Sequence, residues 1–274
     1  MPVQPELEFA SATDIGLVRT HNEDVVAIDE SSGLALVADG MGGYAAGEVA
    51  SGIAAVTVSQ TIQVGLKRPI WSHHPLRDSA IEQLLHGAVE QANREILKTA
   101  QQRPECAGMG TTLVAALFHE QHVWIAHVGD SRAYRLRGVE IEQLTHDHSP
   151  VQEQIDAGLI SSADARVVPY KNLITRALGI GALSGVEIHQ HLLVVGDIFL
   201  LCSDGLSDLL TESEIVALIH GSSRMEEAVQ QLIQSANNNG GRDNISAILI
   251  RVQSTPRVRD SSSGWLDSLT NWTK

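Results

Sequence analysis

The chain has 274 residues, 43% of them hydrophobic, which is enough for one large domain with a sizeable core. Thirty-three acidic against 19 basic residues give a net charge of −14, which disfavours nucleic acid and anionic membrane, both of which need basic surface. Two cysteines, Cys106 and Cys202, make neither a disulfide framework nor a zinc site. Met1-Pro2-Val3-Gln4-Pro5 lacks the basic and apolar regions of a signal peptide, and no apolar run approaches the roughly 20 residues that span a bilayer. A cytoplasmic chain is expected.

In chain order, residues 9 to 28 hold two candidate strands around Asp14-Ile15-Gly16. Leu34-Ala35-Leu36-Val37-Ala38 then runs into Asp39-Gly40-Met41-Gly42-Gly43, the pattern of a buried strand stopping at a turn. A helix follows from Glu48 to Ile62, and a longer one from Ser79 to Gln102, with Ser79-x-x-Glu82 as a capping box. Ile81, Leu84, Leu85, Ala88, Val89, Ala92 and Ile96 give the longer helix one apolar face. Gly110 to Leu117 and His122 to Val128 are strands joined by His119-Glu120-Gln121, and Asp130 sits at a tight turn into a third strand, Ala133 to Arg137. His122 and His127 are expected as core or edge residues.

Residues 145 to 185 change texture. A short helix from Val151 to Ala157, ended by Gly158, precedes a long loop through Val168-Pro169-Tyr170-Lys171-Asn172 to Gly179. His146 and His148 are expected to be solvated loop residues. Strands return at Glu187 to Val194 and Asp197 to Cys202, the latter ending at Asp204-Gly205. Thr211-x-x-Glu214 caps a helix to His220 and Ser223-x-x-Glu226 caps another to Ala236. The last strand is Ile245 to Val252. Beyond Ser254 the composition turns to serine, proline and arginine. Trp265, Leu266, Leu269 and Trp272 could form a short amphipathic helix, with a disordered end as the default.

One design recurs. Asp39 and Asp204 follow apolar runs and precede glycine, while Asp24, Asp130 and Asp243 stand close to other strand ends. Carboxylates on rigid supports, beside glycines that leave the backbone bare, suit a hard cation with oxygen ligands.

Gly16-x-x-Arg19-x-x-Asn22-Glu23-Asp24, Asp39-Gly40-Met41-Gly42-Gly43, Gly110-Thr111-Thr112, Gly129-Asp130-Ser131-Arg132, Ser203-Asp204-Gly205-Leu206-x-Asp208 and Gly241-Arg242-Asp243-Asn244 occur in that order. Together they resemble the type 2C metal-dependent serine/threonine protein phosphatases, the PPM family, most of all its short bacterial members. The resemblance spans about residues 9 to 252.

It implies an α+β fold, a four-layer α-β-β-α sandwich of two mainly antiparallel sheets flanked by helices. The phosphatase domain would cover residues 1–253, with a flap at about 145–185 that influences substrate choice, and residues 254–274 would be a tail. Arg19 would grip the substrate phosphate through its planar fork. Asp24, Asp39, Gly40, Asp130, Asp204, Asp208 and Asp243 would form the metal site, Asp24 through water. Asp39 would bridge two Mn2+ or Mg2+ ions holding a hydroxide that attacks phosphorus in line. Asp130 and Asp208 match positions for a third ion. Catalysis would thus rest on Asp39 and Arg19. Where some relatives carry a histidine proposed to protonate the leaving group, this chain has Met41. A Cys-x5-Arg loop for cysteine catalysis is absent.

Expected partners are phosphorylated proteins and a serine/threonine kinase whose action the chain opposes, with no nucleic acid and no membrane. A monomer is expected. Two alternatives stand beside this reading. A pseudophosphatase that only docks phosphoproteins is disfavoured because Asp39, Asp204 and Asp243 are all present. A different metal-dependent phosphohydrolase, such as a phosphodiesterase or nuclease, is disfavoured by the acidic charge.

Overall fold

The computed structural model describes residues 4–43, 46–67, 78–161, 164, 168, 170, 172–183 and 185–256. Among these residues eleven strands form two sheets, and every pairing between them is antiparallel. The first sheet runs in the order β1 (Glu6–Asp14), β11 (Ile245–Ser254), β10 (Ile198–Cys202), β7 (Arg132–Arg137), β8 (Glu140–Gln143). The second runs β2 (Asp24–Asp29), β3 (Leu34–Met41), β5 (Leu113–His119), β6 (His122–Val128), β9 (Glu187–Leu192), with β4 (Gly110–Thr111) pairing with the end of β3.

Alternation along each strand splits its side chains between two layers. On β3, Ala35 and Val37 face the other sheet, where Phe118 meets Phe199 edge-on at 5.3 Å. Leu34, Leu36 and Ala38 face outward onto helices α1 (Ala46–Leu66) and α2 (Asp78–Gln102). The first sheet is covered by α4 (Asp204–Ser207), α5 (Glu212–Gly221) and α6 (Met225–Asn238), through Leu206, Ile215, Ile219, Val229, Leu232 and Ala236. Strands buried on both faces explain the unbroken apolar runs of β3, β5 and β10. A sixth helix, α3 (Pro150–Asp156), starts the 145–185 segment, capped by Ser149. The order of layers is α-β-β-α, as expected.

Several local expectations are corrected. β3 does not stop at Asp39; it continues to Met41 because β4 supplies a partner, with Gly40 opposite Thr111. Asp130 is not at a hairpin turn, since β6 and β7 belong to different sheets and the chain crosses between them there. Ser79 lies inside α2, which begins at Asp78, so it does not cap it. The capping box at Thr211 and Glu214 is present, but Arg224 occupies the N-cap of α6, and Ser223 bonds Glu227 rather than Glu226. The edge strand β8 had no sequence counterpart. Helix α1, at 21 residues and mean hydropathy 1.3, does have the length and composition to cross a membrane, contrary to expectation. In this fold it lays Ala50, Ala54, Val58 and Ile62 into the core beneath β3. The residues Trp265, Leu266, Leu269 and Trp272 lie outside the described residues.

Candidate active site

Asp39 and Asp24 are directly opposite each other on β3 and β2. The backbone of Asp39 is clamped from the far side. Its carbonyl accepts from Thr112 N at 2.9 Å and Thr111 Oγ1 at 2.8 Å, and its N–H donates to Thr112 Oγ1 at 3.1 Å. Asp204 opens the short helix α4 at the end of β10. The glycine after it is required, because a Cβ on Gly205 would stand 2.0 Å from the Asn244 carbonyl oxygen. Asp243 stands two residues before β11, and its Oδ1 accepts from Asn244 N at 2.8 Å.

These residues, drawn from distant parts of the chain, meet in one cleft of about 210 Å3. Arg19, Glu23, Asp39, Gly40, Asp130, Asp204 and Asp243 line it, together with Met41, Thr112, Asn172, Ile174 and Asn244. Arg19 is half exposed and donates from Nη2 to Asp243 Oδ2 at 2.6 Å. Asp24 and Asp208 are not on the cleft wall. Asp24 is buried behind Asp39, where its Oδ2 accepts from Ser203 Oγ at 2.8 Å. Asp208 follows α4, with its N–H donating to the Asp204 carbonyl at 2.8 Å.

The carboxyl groups crowd one another. Burial, then the charges of Asp24, Asp204, Asp130 and Asp243, hold the Asp39 carboxyl well above the usual carboxylate range. Asp204 is raised likewise by burial and then by Asp130, Asp208 and Asp243. Burial is the main cause that lifts Asp24 to about 6, and burial followed by the Asp147 charge lifts Asp130 to about 7. Such a concentration of acid is unstable alone and is relieved by cations. The buried Oδ1 atoms of Asp24 and Asp204 have no hydrogen-bond partner among the described residues. An all-oxygen donor set with spare carboxylate oxygens fits Mg2+ or Mn2+ better than Zn2+.

The loop carrying Arg19 and Glu23 is fixed by a residue whose role the sequence did not reveal. Asn244 is buried and donates from Nδ2 to the carbonyls of Ile15 at 3.0 Å and His21 at 2.9 Å, while its Oδ1 accepts from Glu23 N at 2.8 Å. Gly16, at φ +80°, lies against Asp243, where a Cβ would fall 2.2 Å from the carbonyl oxygen. Glu23 belongs to the cleft too; only its place inside the first motif hinted at it.

The 145–185 segment closes one side. His148, expected in solvent, is instead buried. Its Nδ1 accepts from Gly129 N at 3.1 Å, so Nε2 carries the proton and donates to Glu187 Oε1 at 3.0 Å. Its carbonyl accepts from Thr175 N at 2.8 Å, tying the far part of the loop back to its start. His127 is a buried core residue, pushed down to about 4 chiefly by burial, with its Nε2 on the His146 carbonyl. Ring nitrogens of His127 and His189 and a carboxylate oxygen of Glu187 also lie within 4.8 Å of one another. Glu187 Oε1 is held there by His148 and Arg176, so we read this group as the anchor of the segment.

The family model described as Protein phosphatase 2C matches residues 18–250. The chain belongs to the protein phosphatase 2C family. It is 38% identical over 255 residues to the serine/threonine phosphatase stp of Listeria monocytogenes, covering 91% of this chain and 98% of that one. Among solved 2C structures, the serine/threonine phosphatase Stp1 of Staphylococcus aureus superposes with a TM-score of 0.83 at 33% identity, covering 93% of this chain and 98% of that one. The catalytic domain of the phosphatase PstP in complex with two manganese ions superposes with a TM-score of 0.79 at 35% identity, covering 90% and 99%. The two sheets and their flanking helices are thus the 2C fold.

Proposed function

We propose that this chain hydrolyses phosphoserine and phosphothreonine in proteins, with two Mn2+ or Mg2+ ions held by Asp39, Asp204, Asp243 and the Gly40 carbonyl. The observation that carries this is the convergence of four aspartates from distant segments, Asp39, Asp130, Asp204 and Asp243, with Arg19 in one cleft, in a 2C chain. The manganese-bound PstP neighbour supports the choice of ion. When bound, the ions supply the Lewis acidity that activates water and neutralises phosphoryl charge.

The chain's own residues set the geometry. The Thr111 and Thr112 clamp fixes the Asp39 backbone, so its carboxylate needs little reorganisation to bind. Arg19 commits only Nη2 to Asp243, leaving other guanidinium donors for phosphate oxygens. Met41 has no proton to give, so the leaving oxygen takes its proton from water. Asp130, on the cleft wall, and Asp208, just after α4, would be the residues to hold a third ion, and such an ion would supply an oriented water. The chain acts on phosphorylated proteins in the cytoplasm and opposes a serine/threonine kinase.

The test is Mn2+-dependent phosphate release from a phosphothreonine peptide, set against turnover of bis-p-nitrophenyl phosphate. Peptide hydrolysis with little diester turnover is expected. Preference for the diester would instead make the chain a phosphodiesterase.

A further inference from the structure

Next to the cleft is a second cavity of about 370 Å3, walled by Met41, Ile174, Ala177, Ile180, Ala182 and Leu183. Met41 and Ile174 line both cavities, so the two are neighbours across a shared wall. Thr175 and Arg176 also reach this cavity, with Arg176 Nη1 held by Glu187 Oε1 at 3.2 Å, so six of its eight lining residues are apolar.

The outer wall is irregular chain, yet it is pinned. Thr111 N donates to the Leu178 carbonyl at 3.0 Å and Leu178 N returns to the Thr111 carbonyl at 2.9 Å. Gly179 N donates to Oδ1 of buried Asn93 at 2.7 Å, and Asn93 Nδ2 donates to the Gly181 carbonyl at 3.3 Å. Gly110 brings Ile180 down onto the strand, since a Cβ there would lie 3.0 Å from Ile180 Cγ1. Ile180 nevertheless remains 55% exposed. A cavity with six apolar side chains on its wall and a few polar groups, held open in this way beside a site for a charged group, is the mark of a binding surface.

We propose that this pocket receives an apolar side chain of the substrate, one or two residues from the phosphorylated serine or threonine, and so sets which phosphoproteins the chain prefers. The inference rests on the phosphatase reading above. It also gives Met41 a role. Where a histidine would offer a proton, the methionine instead forms the partition between phosphate site and side-chain pocket, and its unbranched thioether can adapt to different occupants.

The experiment compares a phosphothreonine peptide flanked by glycines with peptides carrying one leucine at each of the two positions on either side. A leucine at one position is expected to raise kcat/KM about tenfold, the scale of discrimination that apolar pockets reach. That ratio should fall toward one in Ile180→Asp, and also in Ala182→Trp, which fills the pocket from an exposed position. The glycine peptide is the internal reference, so partial loss of folded enzyme does not alter the ratio. Equal hydrolysis of all peptides by the wild type overturns the pocket and leaves the phosphatase reading intact. An unchanged ratio in both variants overturns it as well. Hydrolysis of no peptide overturns the phosphatase reading, and the pocket with it.

Discussion

Replacing Asn244 by alanine tests whether the cleft is assembled by one buried amide. The side chain makes three hydrogen bonds, to Ile15, His21 and Glu23, at 2.8 to 3.0 Å. Each contributes a net of about 1 kcal/mol, so the loss is about 3 kcal/mol. For a chain of this size that lowers Tm by roughly 6–12 °C. The freed loop carries Arg19 and Glu23, so weaker phosphate capture should accompany the loss of stability. The assay is thermal unfolding in chelator, with KM for a phosphopeptide measured at saturating Mn2+. Asn22→Ala is the control. It removes two bonds, to Thr13 Oγ1 and Asp24 N, at a partly exposed position, and its effect should be smaller, at most about two-thirds as large. A Tm for Asn244→Ala within about 2 °C of wild type would refute the idea that this residue holds the loop.

Asp39→Ala or Asp204→Ala should abolish phosphatase activity while leaving the chain folded, and in chelator it should be at least as stable because carboxylate repulsion is relieved; more than about a tenth of wild-type turnover at saturating Mn2+ contradicts the metal-holding roles of these two residues. Arg19→Ala should raise KM more than it lowers kcat, because the grip on phosphate exists before the transition state; the reverse pattern would make Arg19 a transition-state group. Without metal, stability should fall as pH rises from 6.5 to 8. Burial and neighbouring carboxylates raise Asp130 to about 7 and raise Asp39 and Asp204 well above the usual carboxylate range, so the stability these groups contribute at low pH is lost as they ionise. Below 6.5 buried His127, held down to about 4, has the opposite slope, which is why the window starts there. A flat Tm in chelator across that window counts against the crowding, and saturating Mn2+ should remove the fall. Asp130→Ala or Asp208→Asn should slow phosphopeptide turnover more than p-nitrophenyl phosphate turnover, since the second leaving group needs no proton; equal losses on both substrates argue against a role in protonation.

The parts of the fold visible in the sequence are those whose cause is local. β5 and β10 are buried on both faces and so read as unbroken apolar runs. The Thr211 box is visible because its two partners are three residues apart. The aspartate motifs could be placed near strand ends for the same reason. Other features depend on residues far along the chain. Asp39-Gly40-Met41 has turn composition and becomes strand only because β4 arrives to pair with it. β8, with the sequence Glu-Ile-Glu-Gln, is a half-exposed edge whose charges resemble loop. The polar surroundings of His148 suggest solvent, yet its burial comes from Gly129 and from Glu187, 39 residues later. Asn244 joins residues more than 220 positions away, which no window of sequence can show.

β11 lies between β1 and β10, in the interior of its sheet, and pairs along its whole length with the first strand of the chain. A chain emerging from the ribosome therefore lacks a central strand of that sheet until residue 254 has been made. Up to then Asp243 and Asn244 have no fixed place, and the Arg19 loop has nothing to hold it. Contacts so distant in sequence form late and slowly. A chain still being synthesised thus has no assembled cleft, and phosphate removal begins only after β11 has closed onto β1.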